Sequence, residues 1–200
     1  MKEFWNERYS VEEYVYGKEP NTFFSTRLKE LKPGKLLLPG EGEGRNAVFA
    51  TSEGWQAHAF DVSEAGQLKA HKLAAELGVY IQYTLSPYLQ FDNQGELYDV
   101  IGLFFTHQPA EMRAAFHERL LTMLAPGGIL LMEMFHKDQV HRNTGGPGNV
   151  DFLMNEQEVR EDFGSLEVLE LNELVRSLDE GPFHQGDAAV IQFAGKKTNN

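Results

Sequence analysis

The sequence has no cysteine among its 200 residues. Disulfides, a thiolate nucleophile, Fe–S clusters and cysteine-ligated zinc are therefore excluded. Basic residues are scarce: 18 Lys and Arg stand against 30 Asp and Glu, a formal charge of −12. Such a chain repels a phosphate backbone and an anionic membrane surface, so neither nucleic acid nor membrane is an expected partner. No apolar run approaches the ~20 residues that a membrane-spanning helix needs. The opening Met1-Lys2-Glu3-Phe4-Trp5-Asn6 carries early charges and no apolar stretch, so no signal peptide is expected and a cytoplasmic location is. Repeats and low-complexity segments are missing too. The seven histidines have no metal-ligand spacing, and no metal is expected.

What remains is a composition that folds: 42% hydrophobic and 24% charged, in a chain long enough for one generous domain. Short apolar runs alternate with amphipathic stretches, the pattern of an α/β fold with a mostly parallel sheet. Residues 1–34 are aromatic-rich and read as two short helices, the second starting at Pro20-Asn21-Thr22, a helical cover for an α/β core over 35–200. Strands are expected at 35–38, 56–60, 79–84, 99–105 and 129–135, the last entered through a turn at Pro126-Gly127-Gly128. Ser63 is placed to cap a helix whose buried face is Ala70, Leu73, Ala74 and Leu77. Met112, Ala115, Phe116, Leu120 and Met123 mark the buried stripe of another. A short helix is expected over 155–163. The segments near 165–176 and 187–195 are joined by so short a link, Asp179-Glu180-Gly181-Pro182, that they must pair antiparallel. The expected architecture is a Rossmann-like, doubly wound, seven-stranded sheet closed by an antiparallel hairpin.

The first strand runs into Pro39-Gly40-Glu41-Gly42-Glu43-Gly44, a glycine loop that opens a helix, and the second strand ends at Asp61. Strand, glycine turn, helix, strand and acid in this order form the nucleotide-binding half of a doubly wound sheet. Glycines allow backbone to approach a ligand, and the acid can accept both hydroxyls of an adenosine ribose. Gly42-Glu43-Gly44-Arg45-Asn46-Ala47 also fits the dinucleotide pattern, which makes an NAD(P)-dependent reductase one alternative. Two carboxylates in the loop, Glu41 and Glu43, oppose a diphosphate. A phosphate-free adenosyl compound with a cationic centre, S-adenosylmethionine (SAM), suits the loop better. The terminal hairpin and the lack of residues for a second domain point the same way.

Leu36 to Ala47 resembles motif I of class I SAM-dependent methyltransferases. The likeness is greatest to the small bacterial group related to tellurite-resistance (TehB-like) and thiopurine methyltransferases. Phe4-Trp5-Asn6-Glu7-Arg8-Tyr9 and Tyr16-Gly17-Lys18-Glu19-Pro20-Asn21 are similar to the N-terminal cover of that group. Asp61-Val62-Ser63, Tyr98-Asp99-Val100-Ile101 and Leu124-Ala125-Pro126-Gly127-Gly128 are similar to its later motifs. The resemblance implies methyl transfer from SAM to a small-molecule acceptor, with Gly40, Glu41, Gly42, Gly44, Asn46, Asp61 and Val62 around the cofactor. One position departs from the pattern. The acid usual at the end of strand one is Leu38 here, with Glu41 a partial substitute. That loss is the feature favouring a third reading, a SAM- or nucleoside-binding protein without chemistry.

Other residues carry weaker expectations. Trp5, Tyr9 and Tyr16 can cover a cation with aromatic faces, or simply pack the N-terminal helix on the sheet. Arg8 is a candidate partner for the cofactor carboxylate. Leu85 and Ser86, after strand three, are candidates for the adenine ring and its amino group. Phe104 ends strand four beside the expected methyl position. His107 and His136 follow strands four and five at the ligand-binding edge and are candidate catalytic groups. His184 reads as a turn residue. The glycine-rich loop over 145–148 is a candidate gate. The acceptor is not identified, and the charge of −12 disfavours anions such as tellurite.

Overall fold

The computed structural model describes residues 1–199. Seven strands form one sheet in the order β3-β2-β1-β4-β5-β7-β6. They are β1 (Lys35–Pro39), β2 (Gln56–Asp61), β3 (Gln82–Leu85), β4 (Tyr98–Phe104), β5 (Leu124–Phe135), β6 (Glu167–Asp179) and β7 (Gln185–Lys196). The first five are mutually parallel, and β7 runs antiparallel between β5 and β6. The helices are α1 (Lys2–Tyr9), α2 (Thr22–Lys29), α3 (Arg45–Ser52), α4 (Glu64–Glu76), α5 (Ala110–Met123) and α6 (Glu156–Phe163). The expected doubly wound sheet with its terminal hairpin is thus present. Strand order reverses between β1 and β4, which opens a crevice at their C-terminal ends.

The strand period of two separates the faces. Leu36 and Leu38 join an apolar layer with Phe24 and Leu28 of α2, while Leu37 points to the opposite layer with Phe116 and Leu120 of α5. Three helices begin on side-chain caps: Asn21 accepts from the Phe24 N–H, Ser63 from Gly66, and Asn155 forms a reciprocal capping box with Glu158.

Several local expectations need correction. Strand β3 starts at Gln82 rather than 79, because Val79 still closes α4 by donating its N–H to the Ala74 carbonyl. Leu77 is exposed at that C-terminus and leaves the buried stripe. On α5 the buried face is Arg113, Phe116, His117, Leu120 and Met123, with Met112 and Ala115 outside. The face is turned because Arg113 and His117 both dock on Asp162 of α6, each at 2.8 Å. Strand β5 begins directly after α5 at Leu124, which pairs with Tyr98. Pro126-Gly127-Gly128 then bulges out before Ile129 resumes the ladder opposite Val100. The hairpin strands run longer than expected, and its turn occupies residues 180–184. No helix among the described residues is long and apolar enough to cross a membrane.

Candidate active site

A cavity of about 670 Å³ lies at the C-terminal ends of β1, β2 and β4, within the roughly 300–1,000 Å³ of small-molecule sites. Helix α1 forms one wall. Asn6 pins it there, accepting from the Ser63 hydroxyl at 2.8 Å and from the Ala65 N–H at 3.2 Å.

The glycine loop turns sharply back on the sheet. Gly42 has a left-handed φ of 59°, and a Cβ there would lie 2.6 Å from the Tyr9 hydroxyl. A Cβ on Gly40 would collide with Tyr88 and Thr106. Gly40 and Gly42 are therefore required first by contact with the protein's own side chains, which refines the expectation that they clear space for a ligand.

Asp61 is buried at the cavity wall. Its Oδ2 accepts the Gly42 N–H at 3.1 Å and its Oδ1 the Ser63 N–H at 2.9 Å. A carboxylate has about four acceptor positions. The Val62 N–H also bonds to this carboxylate, so about one position remains for a ligand hydroxyl. Burial raises its pKa, against the pull of those backbone N–H bonds.

The loop acids behave differently from the expectation. Both border the cavity, but protein donors consume their oxygens. Glu41 Oε1 accepts the N–H groups of Asn46 and Ala47 at 2.7 and 2.8 Å, filling the N-terminus of α3. Glu43 accepts from the backbone N–H groups of Val15 and Tyr16 and pairs with Lys69 at 2.8 Å, tying the N-terminal cover to the core. Burial pushes Glu41 up to about 7, although the α3 N–H bonds and Arg45 oppose it. Leu38, where an acid was usual, is buried in the apolar layer under α2 and does not border the cavity.

Of the residues singled out from sequence, Trp5, Arg8 and Tyr16 border the cavity from the cover, and Gly40, Glu41, Asn46 and Asp61 from the loop after β1, the start of α3 and the end of β2. Phe104 and His107 border it from the end of β4, and Gly145 to Gly148 line its rim. Gly42, Gly44 and Val62 stand behind this surface. Leu85 is exposed at the end of β3, and the Ser86 hydroxyl donates to the Pro87 carbonyl, so neither is brought to the cavity. His136 lies in a separate shallow depression, held by Glu173 at 3.3 Å and accepting the Asp138 N–H. Among the other histidines, His58 is a core residue bonded to Tyr98 and Thr84.

The structure adds residues that sequence reasoning missed. Tyr88 comes from a one-turn helix after β3, in a segment with no readable periodicity. Gln108 is 2% exposed, borders the cavity, and both its amide atoms lack partners among the described residues. His184 reaches the cavity from the hairpin turn. Arg45 borders it while bonded to the Tyr16 carbonyl at 3.0 Å and to Glu180 at 2.9 Å. Burial alone would raise Glu180, but His184 and the charges of Arg45 and Arg176 hold it well below the usual carboxylate range. No group of three His, Asp or Glu that could hold a metal occurs among the described residues.

This geometry can be set beside known proteins. No family profile and no curated protein match the sequence. Solved structures do match in fold. A chain solved for the conversion of a disulfide bond into a thioacetal group during echinomycin biosynthesis superposes with a TM-score of 0.78 at 14% identity, over 100% of this chain and 93% of its own. Magnesium protoporphyrin IX methyltransferase (ChlM) from Synechocystis PCC 6803 with bound S-adenosylhomocysteine (SAH) gives 0.74 at 15%, over 98% and 97%. This is the class I SAM-dependent methyltransferase fold. TehB from Haemophilus influenzae shares it, with a TM-score of 0.73 at 18% identity over 98% of this chain and 67% of TehB. In this methyltransferase fold the glycine loop, Asp61 and the α1 cover surround one cavity, as described above.

Proposed function

We propose that this protein transfers a methyl group from SAM to a small-molecule acceptor. The observation that carries the reading is the N-terminus of α3. A dinucleotide fold seats its pyrophosphate there. In this chain the Glu41 carboxylate fills that seat, while Asp61 next to it borders the cavity as an acceptor for a ligand hydroxyl. The site thus suits an adenosine without phosphate and disfavours a nicotinamide dinucleotide. Unpartnered buried atoms on Gln108 support a cavity built to hold a ligand. By its name, the ChlM neighbour also acts on a small molecule.

When bound, SAM supplies a methyl group on a positively charged sulfur, already joined to a good leaving group. The protein's task is alignment and exclusion of water. Asp61 accepts from a ribose hydroxyl. Trp5, stacked on Tyr9 at 5.5 Å, and Tyr16 offer aromatic faces to the cation. Arg8, held by the Tyr16 hydroxyl at 2.8 Å, is the candidate partner of the carboxylate end. Phe104 closes the apolar side.

The test is transfer of labelled methyl from SAM to a panel of thiols, phenols, amines, selenite and tellurite. Turnover on any of them supports the enzyme. Saturable SAM binding without turnover on an extended panel favours a SAM-binding protein without chemistry, the reading that the apolar burial of Leu38 makes worth testing. A second consequence concerns protons. Glu41, with its pKa raised to about 7, is partly protonated at neutral pH. A cation in the cavity favours its ionised form, so SAM binding should release up to about half a proton at pH 7. Calorimetric enthalpies in buffers of different ionisation enthalpy measure this. Enthalpies that do not change with buffer would show that Glu41 is not coupled to the ligand.

A further inference from the structure

We propose that this protein forms a two-fold symmetric dimer through strand β3. The β3 strands of two copies pair antiparallel, so that two sheets become one. The inference is independent of the methyl-transfer reading.

The open sheet has two edges, β3 and β6. An edge strand presents unpaired N–H and C=O groups to any other chain. Charged side chains, proline and bulges are the usual protection. Strand β6 is protected twice over. It carries Glu167, Glu170, Glu173, Arg176 and Asp179, and its register slips between Val168 and Glu170. Strand β3 has neither device. Gln82, Tyr83, Thr84 and Leu85 bring no charge and no proline, and they pair with His58 to Asp61 of β2 without a break.

The open groups can be assigned one by one. The Ser86 N–H donates to the Asp61 carbonyl at 2.9 Å, so it points toward β2. Direction alternates along a strand, so the backbone groups of Thr84 and Gln82 also point to β2, and those of Ile81, Tyr83 and Leu85 point outward. In agreement, the Gln67 side chain of α4 donates to the Tyr83 carbonyl from the outer side at 3.1 Å. A carbonyl oxygen has two lone pairs, so one is left for a partner strand. A two-fold axis at Tyr83 sets Tyr83 opposite its own copy and Ile81 opposite Leu85. Every outward N–H then meets an outward carbonyl.

Charge decides the occupant. The protein carries −12, so two copies repel unless they meet on a neutral face. No Asp, Glu, Lys or Arg occurs in the fifteen residues from Leu77 to Phe91, in a chain that is 24% charged. That run supplies β3 together with exposed Leu77, Tyr80, Leu85 and Leu89, and Tyr80 is 82% exposed. Beside it on α4, His71 lies 6.0 Å from the Tyr83 ring, and Leu68, one turn earlier, is 71% exposed. Depleted charge with open aromatic and aliphatic side chains is the make-up of an interface core. A basic partner finds no counter-charge on this edge. A second copy brings the same neutral edge, and the closed two-fold uses up both.

The experiment is sedimentation velocity on the full chain from about 1 to about 200 µM, a range that brackets a micromolar Kd. The wild type should sediment as a dimer of 22.6 kDa chains. Leu85→Lys and, separately, Tyr80→Lys put a charge on the neutral edge at exposed positions. Each should weaken the dimer about tenfold or more while keeping the wild-type circular dichroism spectrum. Val175→Lys, at an exposed position on β6, should leave the dimer intact. Amide hydrogen exchange on the wild type is a second readout that needs no variant. Protection of the Tyr83 N–H should rise with protein concentration. A monomer throughout the range, an assembly other than a dimer, a dimer indifferent to both β3 variants, or dissociation by Val175→Lys overturns the proposal. So does Tyr83 protection that does not change with concentration.

Discussion

Replacing Glu133 with leucine is expected to cost the fold about 3–5 kcal/mol, the range for removing one partner of a buried ion pair. Glu133 sits on β5 with 0% of its surface exposed. It accepts from Arg176 of β6 at 3.1 Å, from Gln192 of β7, and from the Asn21 side-chain amide at 2.7 Å. Asn21 in turn caps α2, and its N–H donates to Asn46 in the first turn of α3. Arg176 continues to Glu180, which carries Arg45 and His184 at the cavity. One carboxylate therefore ties the cover, the hairpin and the glycine-loop helix into a single buried network. With leucine in its place, Arg176 keeps Glu180 but loses most of its compensation in a low-dielectric site. Urea denaturation of Glu133→Leu measures the cost. The double variant Glu133→Leu/Arg176→Leu should recover a large part of it, because the stranded charge is gone. A single-variant loss under about 1 kcal/mol would show that the network does not hold these elements together.

Asp61→Ala is expected to weaken SAM binding by about 1.5–3 kcal/mol, or roughly 10–150-fold in Kd. The figure corresponds to loss of the hydrogen bond from a ribose hydroxyl to a charged acceptor. The N–H groups of Gly42, Val62 and Ser63 lose their partner as well, so the loop loosens in the same variant. Asp61→Asn separates the contributions. Its amide oxygen can still accept from those N–H groups on one side, but its NH2 faces a donor on the other, so affinity should fall while the fold holds. Calorimetric titration with SAM, with a thermal melt to confirm folding, reads both. An unchanged Kd in Asp61→Ala removes Asp61 from the site.

The β1–α3–β2 unit was readable because its determinants are local. Leu36 to Asp61 contains a strand, a turn that only glycine tolerates, a helix and a second strand, each within a few residues of the next. Asn21, Ser63 and Asn155 announce helix starts for the same reason. What the sequence could not disclose depends on distant partners. Glu41 reads as a loop charge until the α3 N–H groups are seen to fold around it. The buried stripe of α5 is turned by Asp162, 49 residues beyond Arg113 and 45 beyond His117. His107 and His136 both follow parallel strands and look equivalent by spacing. Only the three-dimensional arrangement puts one on an aromatic cavity wall and the other on the outer surface beside Glu173. Gln108 and Tyr88 carry no pattern at all, since a single polar or aromatic side chain in an irregular segment has no period to detect.

The central claim is that the crevice between the loop after β1 and the end of β2 selects an adenosyl sulfonium over a phosphate-bearing dinucleotide. Calorimetric titration of the wild-type protein with SAM and, separately, with NADH and NADPH tests it most directly. The account predicts saturable one-to-one binding of SAM that is lost or sharply weakened in Asp61→Ala, and no comparable heat from either nicotinamide nucleotide. Tight NADH or NADPH binding, or the absence of SAM binding, would contradict it.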